Sequence, residues 1–343
     1  MEFMLAIRFE QTIFKRKKLP FRQWQSSQQF KTPMIEEHII HSVEQFPNYT
    51  DVEHEILPLG PSGPKMSVRS TRLGNVSLHA EAFHGRVRYQ ESQQGDTIYY
   101  GLFLPQGDPI RFLGSSFSKP FVVCWGVERQ NEFDYVLEVG TRLYMLEMPS
   151  AVCRARGWKL PSATMLLVPQ VNAAHFAACA ESCFESAQRL GSHEVQTQGQ
   201  VLMEQFEVLV GDPLFDGAEA LSPSVAEISQ RKLISDIEAF LRTEAGSMAL
   251  TGDDLSEAMG VPRRTIYAAF KNQIGVGPSH FQRLVRLYKL RHQLVSTPYE
   301  KGVVSKLMLD VGLSHFGRAS TMYRSHFGEM PLTTVLRNGK TTP

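Results

Sequence analysis

One pattern occurs twice in the C-terminal quarter of the 343-residue chain, and this repeat constrains the fold more than any other feature. In each copy a glycine follows a leucine after five residues. An aromatic residue is then followed by a second glycine after five residues and by a proline after three more. Two helix pairs, each turned at a glycine, would produce this spacing. The repeated positions are Leu255, Gly260, Phe270, Gly275 and Pro278, and then Leu307, Gly312, Tyr323, Gly328 and Pro331.

Hydrophobic spacing predicts the helices around these turns. Glycine tolerates the positive φ that a tight turn between helices needs, and Pro262 suits the first turn of a helix. We predict helices over 262–272 and 314–326, with a longer helix over 278–294 between the two units. Side chains expected to face inward are Ile266, Ala269, Phe270, Ala319, Met322, Tyr323, Phe281, Leu284, Val285, Tyr288 and Leu294. Cations expected on the other side of 278–294 are Arg283, Arg286, Lys289 and Arg291.

Charge is distributed unevenly along a chain whose net charge is only +1. From Pro262 to the end there are thirteen lysines and arginines and three acidic residues, a balance of +10. Residues 35–225 contain thirteen basic and twenty-three acidic residues, a balance of −10. This asymmetry favours a polyanion-binding C-terminal region joined to an acidic domain.

A helix-turn-helix needs a first helix that packs and a second helix whose outer face meets base edges in the major groove. The second helices predicted here are 262–272 and 314–326. Candidates for contact with base edges are Arg263, Arg264, Tyr267, Ala268, Phe316, Gly317, Ser320 and Thr321, with Arg264 suited to a bidentate bond to guanine. Candidates for contact with phosphates are Lys271, Arg318 and Arg324.

The N-terminal half is predicted to be β-rich. Alternating runs such as Val76–Phe83 and Thr97–Phe103, separated by turn residues, favour a sandwich or a small cupin-like barrel. Two helices follow at 172–190 and 198–210. The predicted fold class is therefore α+β, with a β-rich sensor domain and an all-α domain of two helix-turn-helix units joined by a linker helix. The predicted segments are a basic arm at 1–34, a sensor and dimerisation domain at 35–210, a linker at 211–224 and a DNA-binding domain at 225–343.

The C-terminal third of the chain resembles the DNA-binding region of the AraC/XylS family of bacterial transcription regulators. The resemblance is carried by Leu255–Phe270, Ile274–Pro278 and Gly312–Pro331, and by Arg286-Leu287 in the segment similar to the family's linker helix. It implies sequence-specific binding to double-stranded DNA, RNA polymerase as a partner, a small-molecule effector and a helical contact between two copies. Whether the protein activates or represses stays open.

Other kinds of site have weaker support. His175, Cys179 and Cys183 at helical spacing could bind zinc, but together with Val171 and Ala187 they are more simply a buried face. His79 and His84 lack the spacing of a cupin metal site. Aromatic residues such as Tyr99, Tyr100, Phe103, Phe121, Trp125 and Tyr135 could line an effector pocket or form an ordinary core. We predict no metal and no cofactor.

Two rival functions stay open beside the regulator. A DNA-binding enzyme of the alkyl-transfer repair type would need an activated acceptor cysteine and a four-ligand zinc site, and the isolated Cys124 and Cys153 offer neither. A protein-binding scaffold would show no salt-dependent affinity for DNA. The chain has no apolar run of membrane-spanning length and no apolar N-terminal stretch with a cleavage site, so we expect a cytoplasmic protein that is not an enzyme and does not bind membranes.

Overall fold

A computed structural model describes residues 35–41, 52–61, 65–93, 96–125, 131–158, 164–187, 189, 192–210, 224–241, 243 and 250–338. The predicted basic arm at 1–34 and all but the last residue of the predicted linker at 211–224 lie outside these ranges. Within them, two antiparallel sheets come first and helices follow, so the predicted α+β class is confirmed.

The two sheets face each other as a sandwich. The larger has the strand order β1-β3-β4-β11-β6-β9-β12, and the smaller has the order β2-β5-β10-β7-β8. The strands are β1 Glu36–Ile40, β2 Val52–Pro58, β3 Met66–Leu73, β4 Val76–Phe83, β5 Val87–Gln93, β6 Thr97–Leu104, β7 Ile110–Phe112, β8 Ser115–Phe117, β9 Phe121–Trp125, β10 Asn131–Leu137, β11 Arg142–Pro149 and β12 Thr164–Leu167.

Strand alternation sends the aromatic side chains to two different cores. Successive side chains on a strand point to opposite faces, so Tyr99 and Tyr100 on β6 lie on opposite faces of the larger sheet. Tyr99 packs between the sheets with Phe103, Phe121 and Tyr135. Tyr100 packs on the outer face of the larger sheet instead. The predicted aromatic group therefore does not line one common space.

Three helices cover or adjoin that outer face: α1 Ser150–Ala155, α2 Gln170–Ala187 and α3 Ser192–Val210. On α3, Phe206 packs against Tyr100 at 4.8 Å between ring centroids. The predicted buried stripe along α2 is only half right. Cys183 and Ala187 are buried, but Val171 and His175 are exposed, because the sheet covers the side of the helix marked by Phe176 and Ala180.

The C-terminal domain is helical. None of the helices in the described ranges is long and apolar enough to cross a membrane. The predicted helices 262–272 and 314–326 are confirmed within two residues at each end. The bounds are α4 Val225–Leu241, α5 Gly252–Met259, α6 Arg263–Gln273, α7 Pro278–Ser296, α8 Val303–Asp310, α9 Phe316–Phe327 and α10 Pro331–Asn338.

Each unit turns at its predicted glycine. Gly260 ends α5 with φ 62°, and Gly312 follows α8 with φ 76°. At the start of α5, Thr251 and Asp254 form a reciprocal capping box, which satisfies amide groups that the first helical turn leaves free. Sequence and backbone therefore agree at both ends of α5.

Two separate apolar cores support the two units. Phe270 lies in the first, with Ile266, Ala269 and Phe281. Tyr323 holds the equivalent place in the second, where Ala319 and Leu307 surround it. Among the other side chains predicted to face inward, Leu284, Tyr288 and Leu294 are buried, whereas Val285 and Met322 are half-buried.

The prediction that Arg286 and Arg291 lie on an outer side of α7 is wrong, because both are buried. Arg291 donates from Nη1 to Glu329 Oε1 at 3.0 Å and lies over the ring of Phe327. Both units pack against α7, so this helix has no wide solvated face.

His326, near the end of α9, joins three parts of the chain. Its Nε2 lies 3.0 Å from the hydroxyl of Tyr288 on α7, and its ring lies beside the backbone of Pro58 in β2. Burial, with the charges of His280 and Arg291 nearby, lowers the pKa of His326 to about 4.

Acid should therefore destabilise the fold through His326. A histidine whose folded pKa lies below its ordinary value of about 6.5 contributes stability that is complete above that value and is lost as the pH falls towards 4. Between about pH 7 and pH 5 the wild type should lose about 2 kcal/mol more unfolding free energy than His326→Gln. Urea unfolding at both pH values measures this, and equal losses in the two proteins would contradict the assignment.

Gly260→Ala should destabilise the first unit, because alanine at φ 62° costs about 1–2 kcal/mol. The matched control is Gly317→Ala, since Gly317 is helical and a Cβ there would meet open space. Alanine in a helix is about 1 kcal/mol more favourable than glycine, so the control should be stabilised. Urea unfolding of both variants decides, and a neutral Gly260→Ala would refute the strained turn.

Candidate nucleic-acid interface

The first unit presents the outer face of α6 to solvent. Arg264 and Ala268 are exposed, while Ile266 and Phe270 on the opposite face are buried. In the described part of the chain, the Arg264 side chain has no hydrogen bond or ion pair. An exposed guanidinium of this kind is suited to donate two N–H groups to the O6 and N7 atoms of one guanine.

Arg263 differs from Arg264 because the protein already holds its side chain. Its guanidinium lies 5.2 Å from the centre of the Tyr267 ring, and its Nη1 lies 3.5 Å from the carboxylate of Asp253 on α5. The hydrogen bond with Tyr267 and the charge of Asp253 raise the pKa of Arg263. Tyr267 itself is half-buried. The two helices of the unit are thus joined at the residues that the sequence assigned to bases.

The second unit presents a smoother surface on α9. Phe316, Gly317 and Thr321 are exposed, and Ser320 is half-buried. A Cβ added at Gly317 would meet nothing within 4 Å. The hydroxyl of Thr321 donates to the Gly317 carbonyl at 3.0 Å, so its oxygen still has a lone pair to offer. This face can approach another surface closely because it carries only one large side chain.

The predicted phosphate cations lie on exposed parts of the same helices. Lys271 is on the last turn of α6, and Arg318 and Arg324 are on α9. The structure therefore brings the predicted residues together as two separate sets, one for each unit, and Arg263, Tyr267 and Ser320 are the members with restricted access.

Sequence reasoning missed the residues that hold the helical domain against the smaller sheet. Arg88 on β5 is buried and pairs with Glu238 on α4, and Arg86 donates to the carbonyl of Ile274 at 2.6 Å. The only sequence signal was one arginine within a strand of apolar alternation and a second arginine directly before that strand. Their partners lie far away in the chain.

Cys124 and Cys153 do not resemble acceptors for group transfer. Burial raises the pKa of the Cys124 thiol well above its usual range and raises that of Cys153 to about 11, whereas a nucleophilic cysteine needs a lowered pKa. His79 is bonded to Ser70 Oγ at 2.8 Å and to Glu147 Oε2 at 3.0 Å. Within the described ranges, no group of three or more His, Cys, Asp or Glu side chains is arranged to hold a metal.

Several solved structures align with long parts of the chain. The AraC-like transcriptional activator CuxR is 14% identical with a TM-score of 0.35, covering 75% of this chain and 90% of that one. An AraC-type regulator from Chromobacterium violaceum is 22% identical with a TM-score of 0.29, covering 33% and 98%. ToxT from Vibrio cholerae O395 is 7% identical with a TM-score of 0.26, covering 90% and 99%.

Sequence comparison concentrates on the two units. Residues 255–337 match the model of a helix-turn-helix domain family. The XylDLEGF operon transcriptional activator 1 of Pseudomonas putida is 32% identical over 83 residues, which are 24% of this chain and 25% of that protein. Activator 2 of the same operon is 30% identical over 83 residues, 24% of this chain and 53% of that protein. The match thus spans about a quarter of the first relative's length, and both relatives are named as transcription activators rather than enzymes. Residues 255–337 are thus similar to a helix-turn-helix domain that also occurs in transcription activators.

Proposed function

We propose that this protein regulates transcription by binding double-stranded DNA sequence-specifically through both of its helix-turn-helix units. The observation that carries the proposal is that each unit buries the same aromatic position of the repeat, Phe270 or Tyr323, and leaves the opposite face of its second helix exposed. The balance of +10 from Pro262 to the end gives this domain the charge that phosphates attract.

In this proposal α6 and α9 enter two consecutive major grooves. The helix between the units, α7, has 19 residues and is therefore about 28 Å long, close to the roughly 34 Å of one DNA turn. Arg264 and Ala268 would meet base edges on one side, and Phe316, Gly317 and Thr321 on the other. Lys271, Arg318 and Arg324 would contact phosphates. Arg263 and Tyr267 would contact base edges only when the ion pair between Arg263 and Asp253 breaks.

We further propose that the protein acts as an activator, because the matched relatives are named as transcriptional activators, and that RNA polymerase is then its partner. A small-molecule effector is proposed for the sandwich, whose strands 36–167 form a domain separate from the DNA-contacting helices. A compound that raises the thermal unfolding temperature should also change affinity for DNA. If binding compounds leave that affinity unchanged, effector control is wrong.

The hairpin of α2 and α3 is proposed as the contact between two copies. Its outer surface carries exposed apolar side chains, among them Val171, Val201 and Val208, and α2 adds the small exposed residues Ala174 and Ala178. Such a surface would be covered by an identical hairpin at low steric cost.

Sedimentation should show a dimer for the wild type and a monomer for Val208→Arg, because the arginine would place a charge in the contact. Val225→Arg is the matched control, since Val225 is 81% exposed on α4, outside the hairpin. It should remain dimeric. A monomeric wild type, or a dimeric Val208→Arg, would refute this contact.

The regulator itself is tested by DNA binding of the full chain. With the DNA that flanks its gene, wild-type affinity should fall with salt at a log–log slope of about −0.9 for each phosphate contacted. Arg264→Ala should lose about 1–3 kcal/mol and relax selectivity at one base position, and adding Thr321→Ala should weaken binding further.

Arg154→Ala is the control, because it removes an equally exposed arginine from α1 in the sandwich domain and should bind DNA normally. Equal loss on every DNA sequence would show that Arg264 touches only phosphate. Absence of sequence-selective binding by the wild type would favour a scaffold.

A further inference from the structure

The smaller sheet contacts the first unit through a buried arginine. Arg88 on β5 donates from Nε to Asp134 Oδ1 on the neighbouring strand at 2.8 Å. The same guanidinium bonds to Glu238 on α4, with Nη2 to Oε2 at 3.1 Å, and lies 5.7 Å from the centre of the Phe281 ring on α7. Gln90 adds a bond to Glu238 at 3.3 Å.

A second contact lies at the end of α6. Arg86 donates from Nη2 to the Ile274 carbonyl at 2.6 Å, and Glu138 holds the arginine in place through its Nε at 2.9 Å. Gly275 follows with φ 78°, and a Cβ there would lie 2.3 Å from Arg86 Nη2. A side chain at this position would therefore be strained by the positive φ and would displace the end of the Arg86 side chain.

The same edge of the sheet also reaches the second unit. The ring of His326 on α9 lies beside the backbone of Pro58, the last residue of β2. Leu59, the next residue, and Val136 on β10 pack into the core of the first unit. One surface of the sandwich thus contacts α4, α6 and α7 of the first unit and α9 of the second.

Contacts on both units constrain the angle between them. A rotation of one unit about α7 would move Glu238 and Ile274 relative to His326, while all three contact the sandwich. Shifting Glu238 away from Arg88 without admitting water would leave a buried charge uncompensated, which is strongly unfavourable.

We propose that the smaller sheet of the sandwich positions α6 and α9, the recognition helices of the two units, relative to each other. It would thereby fix the spacing between the two DNA segments that the protein binds. Arg88, Glu238 and Arg86 are then positioning residues that touch no DNA. This inference rests on the proposed DNA-binding function.

The strands that hold these residues also line the interior of the sandwich. Tyr89 and Tyr135 stack at 5.2 Å between the sheets, whereas Arg88 and Asp134, their neighbours in sequence, face the helices. A change in the separation of β5 and β10 inside the sandwich would therefore displace the ion pair outside it.

The test uses full-length protein and a pool of random-sequence duplex DNA from which bound molecules are enriched. The variant is Glu238→Gln, which weakens the pair with Arg88 and leaves Arg88–Asp134. The matched control is Asp236→Asn, the same chemical change on the same helix at an exposed ion pair with Lys232. Arg86→Met is a second variant, less buried than Arg88, that removes the bond to Ile274 in case Glu238→Gln does not fold.

The wild type and Asp236→Asn should enrich two sequence segments at one spacing, and should bind this DNA about tenfold more tightly than the same DNA with two base pairs inserted between the segments. For Glu238→Gln and Arg86→Met this ratio should fall to about twofold, while the preferred bases within each segment stay the same. Variants that keep one spacing and the tenfold ratio would overturn the inference and leave the regulator intact. A wild type that enriches no sequence would overturn both.

Discussion

The arrangement of the two domains depends on the buried ion pair of Arg88. Its guanidinium is 2% exposed and lies between Asp134 of its own sheet and Glu238 of the helical domain. Two carboxylates offset the loss of hydration of one guanidinium only where the geometry is close. A small displacement of one domain along the other would break these bonds while the charged groups stay out of contact with water. Complete separation would instead rehydrate the guanidinium and both carboxylates. The contact therefore favours two states, docked or separate, over a continuum between them.

Strand alternation connects this contact with the interior of the sandwich. Where the structure describes the side chains of β5 and β10, Val87, Tyr89, Phe133, Tyr135 and Leu137 belong to the core between the sheets. Arg88, Asp134 and Val136, which alternate with them, belong to the domain contact. The sheet is only one layer thick here, so no further residues are needed to transmit a displacement from one face to the other. By the same argument, a displacement in the larger sheet, whose outer face carries the α2–α3 hairpin, would not directly move the recognition helices.

The repeat allowed much of the helical domain to be predicted, because its signals are local. A glycine with positive φ and an aromatic residue on the inner face each act within a few residues, and Gly260 and Phe270 have the predicted roles. Pro262, predicted in the first turn of a helix, lies instead at the N-cap of α6. Periodicity also predicted the strand 76–83. For the candidate site, sequence identified the exposed faces of both recognition helices. It did not show that Tyr267 and Asp253 already hold Arg263.

The errors arise where a residue's surroundings come from distant parts of the chain. A helical pattern indicates one inner face, but α7 is enclosed by both units, so Arg286 and Arg291 are buried although their spacing matched a solvated side. Val171 and His175 were expected inside and are exposed, because the sheet covers a different side of α2. Arg88 and Glu238 are 150 residues apart, and no pattern in either segment indicates the other.

The two recognition helices have the same backbone plan but different surface chemistry. On α6 the uncommitted group is the guanidinium of Arg264, whose long side chain can reach bases and whose charge strengthens each bond. On α9 the first two exposed residues, Phe316 and Gly317, are uncharged, and the first cation is Arg318. Gly317 leaves room for DNA to approach the backbone closely. Selectivity on the first side would then come from directed hydrogen bonds and on the second from shape and apolar contact around Phe316. Contact by shape tolerates less displacement than contact through a flexible arginine, so the second unit has more to gain from an orientation that the sandwich fixes.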